Sequence, residues 1–285
     1  RESQERIRSA FENSGLRMPG KKIVVNLAPA DIRKEGSALD LAIAVGILAA
    51  SGQVTATNLS DYIMMGELSL DGTIKPIRGA LPIAIKAFEN GFKRLILPCE
   101  NAVEAAVVEG MEVYGANSLT QVAGFLNGDI SIEPTELQVE LLFDETANRY
   151  AEDFSDVKGQ GHVKRALEVA AAGGHNAIMI GAPGSGKTML ARRMPTIMPP
   201  LSMAESLETT KIHSVAGKLG AEKGLLTKRP FRAHHHLASQ AALVRVGSHP
   251  QPGQISPAHY GILFLDAAVE FSRNTFALPS RPSGS

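Results

Sequence analysis

Hydrophobic and polar positions along the chain fall into short blocks whose period changes often. Residues 2–13 set Ile7 and Phe11 four apart, the spacing of an amphipathic helix. Gly15 and Pro19-Gly20 interrupt that pattern, and Lys21–Leu27, centred on Ile23, Val24 and Val25, reads as a strand. Leu39–Ala50 is apolar almost all round, which predicts a helix buried in a core. Two β-rich runs, Tyr62–Leu70 and Thr73–Ile77, flank Asp71-Gly72, a pair suited to a hairpin because it tolerates positive φ. A helix at Ala80–Glu89 stops at Asn90-Gly91, and a short buried strand at Leu95–Leu97 stops at Pro98. Asn101–Glu109 predicts a further helix ended by Gly110. Glu112–Tyr114 and Leu119–Leu126 complete this part at Asn127-Gly128.

Residues 129–153 lose this periodicity and are acidic. They read as a linker between a first domain at 1–128 and a second at 154–285, or as a continuation of the first. Beyond them, Gly161–Ala172 predicts a helix closed by Gly173-Gly174, and Ala177–Ile180 a short buried strand. A glycine-rich turn then leads into a helix from Lys187 to about Met194, and Ile262–Leu265 reads as a second buried strand. The tail from Pro279 to Ser285 is of low complexity.

Composition sharpens the division. The 285 residues are 44% hydrophobic and 20% charged, enough to build cores, and no apolar run reaches a membrane span. One cysteine, Cys99, excludes an internal disulfide framework and fits a reducing, cytoplasmic setting. Net charge is zero, yet residues 1–150 carry 14 basic against 20 acidic groups and residues 151–285 carry 15 against 9. All eight histidines lie in the second part. This split fits either two units with different partners, the basic one favouring anions, or two ordinary solvated surfaces.

Gly181-Ala182-Pro183-Gly184-Ser185-Gly186-Lys187-Thr188 matches the phosphate-binding pattern G-x-x-x-x-G-K-[ST] in full. Its glycines allow backbone N–H groups to curl toward phosphate oxygens, Lys187 brings charge to the β- and γ-phosphates, and Thr188 offers a hydroxyl to Mg²⁺. The context, a strand before and a helix after, is the one this pattern requires. A metal-holding acid is expected at the end of a second strand, and Asp266 closes Ile262-Leu-Phe-Leu. The expected cofactors are therefore ATP and Mg²⁺.

At this point the chain resembles the magnesium-chelatase-like AAA+ ATPases of bacteria, in particular their ComM/YifB branch. The resemblance rests on Val25-Asn-Leu-Ala-Pro-Ala-Asp31, Lys34-Glu-Gly36, Gly46-Ile-Leu-Ala-Ala-Ser-Gly52, Gly66-Glu-Leu68 and Pro76-Ile-Arg-Gly79. It continues through Asp156-Val-Lys-Gly-Gln160, the phosphate loop, Ile212-His-Ser-Val-Ala-Gly217, Arg229-Pro-Phe-Arg232 and Leu263-Phe-Leu-Asp266. It implies a fold of class α/β: a Lon-protease-like α+β domain of the ribosomal-S5-domain-2 type, then part of a P-loop AAA+ domain with a parallel sheet. It also implies an adenine-cradling element at Val157 and Gln160, assembly into a ring (normally a hexamer), and action on DNA during natural transformation. Metal insertion into a porphyrin by a chelatase-type ATPase and a non-hydrolysing nucleotide-binding scaffold remain alternatives. No membrane partner is expected.

Departures from the family pattern shape what is expected of this chain. The Lon Ser–Lys dyad has no counterpart: Ala38 falls at the serine position beside Ser37, and Leu81 falls at the lysine position, so proteolysis is not expected. Ala267 stands where AAA+ ATPases usually carry the Glu that positions the attacking water, which predicts ATP binding with poor hydrolysis. The first domain is expected to lack its start. The second is expected to stop before its sensors, arginine finger and helical lid. His234-His235-His236 lacks zinc spacing, since adjacent side chains diverge. Lys228, Arg229 and Arg232 are expected to face nucleic acid, a ring neighbour or solvent.

Overall fold

A computed structural model of the chain describes residues 2–26, 36–139, 142–143, 150–220, 224–234 and 255–266. They form a mixed α/β structure of two compact units, one of residues 1–138 with 217–224 and the other of 139–216 with 225–285.

The first unit is built on a parallel three-stranded sheet of β1 (Tyr62–Met64), β4 (Arg94–Pro98) and β5 (Glu112–Ala116), in the order β1-β4-β5. The register sets Ile63 beside Leu95 and Leu95 beside Val113. Strand alternation explains the two cores. Ile96 turns to a core shared with Ile7 and Phe11 of α1 (Glu2–Asn13), Leu41 and Leu48 of α2 (Asp40–Ala50), and Leu119 and Val122 of α5 (Leu119–Asn127). Leu95 and Leu97 turn the other way, onto Ala84 and Ala87 of α3 (Ala80–Glu89) and Ala102 and Ala105 of α4 (Cys99–Ala105).

The run Tyr62–Leu70 is broken into two strands rather than one. After β1 the chain kinks at Met65-Gly66, and β2 (Glu67–Leu68) pairs antiparallel with β3 (Ile74–Lys75) through the expected turn. Asp71 accepts from the Thr73 hydroxyl at 2.5 Å and the Thr73 N–H at 3.1 Å, fixing that turn. The kink follows from a close approach. Gly66 bonds both Ala38 and Leu41 of the α2 entrance, and a Cβ there would lie 2.4 Å from the Ile74 side chain.

Two other expectations are corrected. Lys21–Leu27 forms no strand within its described part: it finds no pairing partner, and Val24 is 78% exposed. The α4 helix ends at Ala105 rather than Glu109. Residues 129–138 group with the first unit: Ile130 lies against Gly124, Ile132 packs on the α1/α2/α5 core, and Thr135 donates to the Val113 carbonyl at 2.7 Å.

In the second unit, α6 (Gly161–Gly173), α7 (Lys187–Arg193) and α8 (Met203–Val215) accompany a parallel pair, β6 (Phe231–His234) and β7 (Ile262–Leu265). Phe154, Val157, Leu167 and Leu190 make a small core with Met179 against it. Ala177–Ile180 is not the buried strand that its sequence predicts. No described strand pairs with it, and Ile178 and Ile180 are 78% and 95% exposed. A parallel strand takes its hydrogen bonds and its cover from neighbours, so apolar sequence alone does not bury it. For the same reason β7, flanked only by β6 among the described residues, is half-buried throughout.

The buried stripe of α8 is polar: Ser206, Thr209, Thr210, His213 and Ser214. Ser206 and Thr210 satisfy the carbonyl and N–H of Leu226, at 2.5 and 2.9 Å, so the helix docks through hydroxyls on a neighbouring backbone. No described helix is long and apolar enough to cross a membrane.

Candidate nucleotide site

The phosphate-loop pattern folds into a turn that leads directly into α7. Gly184 and Gly186 have φ of +79° and +85°, a region that side chains disfavour. A Cβ at Gly181 would lie 2.9 Å from the Ser185 hydroxyl. Ser185 N–H closes the turn on the Ala182 carbonyl at 3.2 Å, and Leu190 N–H begins the helix on the Gly186 carbonyl at 2.9 Å. The glycine positions are thus those where a side chain would either strain the backbone or fill the cradle.

Lys187 opens α7 and folds back over the loop. Its ammonium donates to the carbonyls of Gly181 and Ala182 at 2.8 and 2.9 Å, and lies 3.4 Å from the Ser185 hydroxyl. Thr188 follows, half-buried in the first turn of α7. Asp266 stands directly after β7 and is also half-buried. Loop, lysine and threonine come together by sequence adjacency, whereas Asp266 follows a separate strand almost 80 residues later, and no described contact joins it to the loop.

The two residues expected at the adenine occupy different settings. Val157 is 3% exposed and belongs to the core with Phe154, Leu167 and Leu190. Gln160 is exposed, caps the start of α6 with φ +54°, and donates from its amide to the Ser185 carbonyl at 3.2 Å. Lys164 reaches back to the Val157 carbonyl and tightens this entrance.

The three basic residues 228, 229 and 232 have partners inside the unit. Arg229 donates to the carbonyls of Pro199 at 2.6 Å, Tyr260 at 2.7 Å and Pro200 at 3.3 Å, and lies 3.5 Å from Glu205. It clamps segments of its own chain and is largely shielded from solvent. Arg232 approaches His213 Nε2 at 3.2 Å, and His213 Nδ1 lies 2.9 Å from the Thr209 carbonyl. That pattern makes Nδ1 the donor and leaves Nε2 to accept from Arg232. Lys228 lies 5.2 Å over the Tyr150 ring. Composition gave no sign of these pairings, because the carbonyls that receive Arg229 are anonymous in sequence. Glu208 is held below the usual carboxylate range by His259 and then the Tyr260 hydroxyl.

No group of three metal-binding side chains occurs among the described residues. His235, His236 and Ala267 lie outside the described residues, as does the tail.

In the first unit, Leu81 is fully buried and its N–H is received by Glu104 at 2.9 Å. Asn101 meets the other Glu104 oxygen at 3.3 Å, and the Ser37 hydroxyl donates to Glu67. The position that the resemblance compares with a catalytic lysine is thus an apolar core position.

Comparison with known proteins gives the same lineage. A profile described as magnesium chelatase, subunit ChlI, matches residues 153–282, and one described as subunit ChlI of Mg-chelatase matches residues 1–101. The chain is 46% identical over 275 residues to the uncharacterized protein YifB of Salmonella typhimurium, covering 96% of this chain and 53% of that protein. It is 42% identical over 286 residues to the competence protein ComM of Haemophilus influenzae, covering 99% of this chain and 55% of that protein. Lon protease 2 of Bacillus subtilis is 29% identical over 123 residues, 42% of this chain and 21% of that enzyme. The chain therefore spans about half the length of the ComM- and YifB-type relatives it matches.

Proposed function

The chain belongs to the ComM/YifB family of magnesium-chelatase ChlI-like proteins, and on that premise we propose that it binds ATP with Mg²⁺ at residues 181–188 and hydrolyses it slowly. The family is one of AAA-type ATPases and implies ATP binding in general. The observation that carries the specific site is the loop itself, with its two left-handed glycines and Lys187 folded across its mouth.

Lys187 exchanges the carbonyls of Gly181 and Ala182 for phosphate oxygens. The turn and the first residues of α7 would cradle the phosphates, and Thr188 and Asp266 would hold Mg²⁺. When bound, the metal neutralises phosphate charge and orients the terminal phosphoryl group. Ala267 supplies no carboxylate to position water, which is the reason for slow turnover.

The wider activity follows the relatives. The ComM relative's name supports a role in competence, hence on DNA. A ring of several copies, normally six, in the cytoplasm is part of the same proposal and rests on the family resemblance alone. The first unit takes the Lon-like, S5-domain-2 role of a partner domain rather than a protease, supported by the Lon protease 2 similarity and by Leu81 in its core. Ala267 also favours a second reading, a nucleotide-binding scaffold that never turns over.

Calorimetry with Mg·ATP tests the site, and steady-state ATPase assays with and without DNA test the reaction. Binding with little turnover is expected. Ordinary AAA+ turnover by this chain overturns the slow-hydrolysis reading, and no binding overturns the site.

A further inference from the structure

Gln160 is one of two described non-glycine residues with positive φ, and it follows Gly159, also left-handed at +67°. Such a conformation costs an L-residue roughly 1 kcal/mol, and it persists where surrounding structure fixes it. Here two contacts do so. Lys164 N–H bonds the Gln160 carbonyl at 3.0 Å, and the Gln160 amide bonds the Ser185 carbonyl at 3.2 Å across 25 residues. Both Gln160 and Ser185 are exposed, so this bond holds no core together. The α6 helix is anchored separately, by Leu167 in the small core.

What the bond does hold is one peptide plane of the phosphate loop. In a trans peptide the carbonyl and the following N–H point in opposite directions. Fixing the Ser185 carbonyl on Gln160 therefore directs the Gly186 N–H away from Gln160. A Cβ on Gly186 would lie 3.5 Å from the same amide nitrogen, so the Gln160 amide sits in contact range of this peptide.

We propose that Gln160 is a positioning residue for phosphate: its amide orients the Ser185–Gly186 peptide so that the Gly186 N–H is preset for an anion. It acts through the loop and not through the base. This rests on the nucleotide-binding reading of the same loop and assigns Gln160 a different role from adenine contact.

The test uses the 285-residue chain, with calorimetry of Mg·ATP and of Mg·tripolyphosphate, which has no base. Two variants remove the donor. Gln160→Gly also relieves the backbone, and Gln160→Met keeps the length without adding a charge. Both are expected to lose about fivefold in affinity for either ligand, the worth of one ordinary hydrogen bond, with the melting temperature of Gln160→Gly not lowered. Undiminished binding of both ligands by both variants overturns the proposal. So does a loss confined to ATP, which would place Gln160 at the base. If the unaltered chain binds neither ligand, the nucleotide reading itself fails and this inference falls with it. Unaltered ATP binding together with unimpaired variants overturns the inference alone.

Discussion

The ammonium of Lys187 lies 2.8 Å from the carbonyl oxygen of Gly181, so the residue that would meet phosphate is bound by its own loop. Nucleotide must displace that contact and the one to Ala182. The exchange favours phosphate because a charged acceptor makes the stronger hydrogen bond. Lys187→Ala is expected to lower Mg·ATP affinity by about 10²-fold, the value of a charge-assisted bond of roughly 3 kcal/mol. Since Lys187 holds only exposed loop carbonyls, the thermal melt should stay unchanged. Calorimetry beside a circular-dichroism melt checks both halves of the statement.

Thr188 and Asp266, the proposed Mg²⁺ holders, allow metal binding to be tested apart from nucleotide binding. Thr188→Val and Asp266→Asn are each expected to reduce the gain in ATP affinity on adding Mg²⁺, while affinity in EDTA stays near that of the unaltered chain. A Mg²⁺ titration at fixed fluorescent ATP reads the difference. Equal losses with and without Mg²⁺ would remove both residues from the metal site.

Asp40 is 1% exposed at the start of α2, accepting from Arg6 at 2.8 Å and from the Ser3 hydroxyl at 2.5 Å on α1. This pair ties α1 to the core. Removing one partner leaves the other charge poorly compensated. Arg6→Ala is expected to destabilise the first unit by about 3 kcal/mol, the lower end for a buried pair because the Arg6 side chain is 20% exposed. Urea denaturation followed by far-ultraviolet circular dichroism measures it.

The Glu112 carboxyl is held below its ordinary value by the Tyr114 hydroxyl first and by Arg94 second. The Tyr114 phenol is correspondingly pushed up to about 12, mainly by burial and then by Glu112. A carboxyl depressed in the folded state contributes stability above its unfolded value and loses it as pH falls through its folded value. The first unit should therefore weaken on acidification below the ordinary carboxylate range, and Glu112→Gln should flatten that part of the profile. Melts between neutral pH and pH 3 compare the two chains; parallel profiles would discount the contact.

Much of the first unit was legible in the chain. The 3.6-residue spacing of Ile7 and Phe11, the all-apolar run of α2 and the Asp71-Gly72 turn each report a local rule, and the structure obeys them. The break at Gly66 was not legible. It depends on α2 and Ile74 arriving on either side of one glycine. The exposed setting of Ile178 and Ile180 was hidden for a related reason, since an apolar run states what a strand needs and not whether neighbours supply it.

For the site, sequence alone determined the turn from Gly181 to Thr188 and the lysine on it, because contiguous residues carry both the turn and the charge. Tertiary structure alone decided that Arg229 is consumed by carbonyls of Pro199, Pro200 and Tyr260, and that Gln160 reaches Ser185. Those partners are backbone oxygens, which every residue carries alike. Their selection is made by the path of the chain through space and leaves no mark in the order of its side chains.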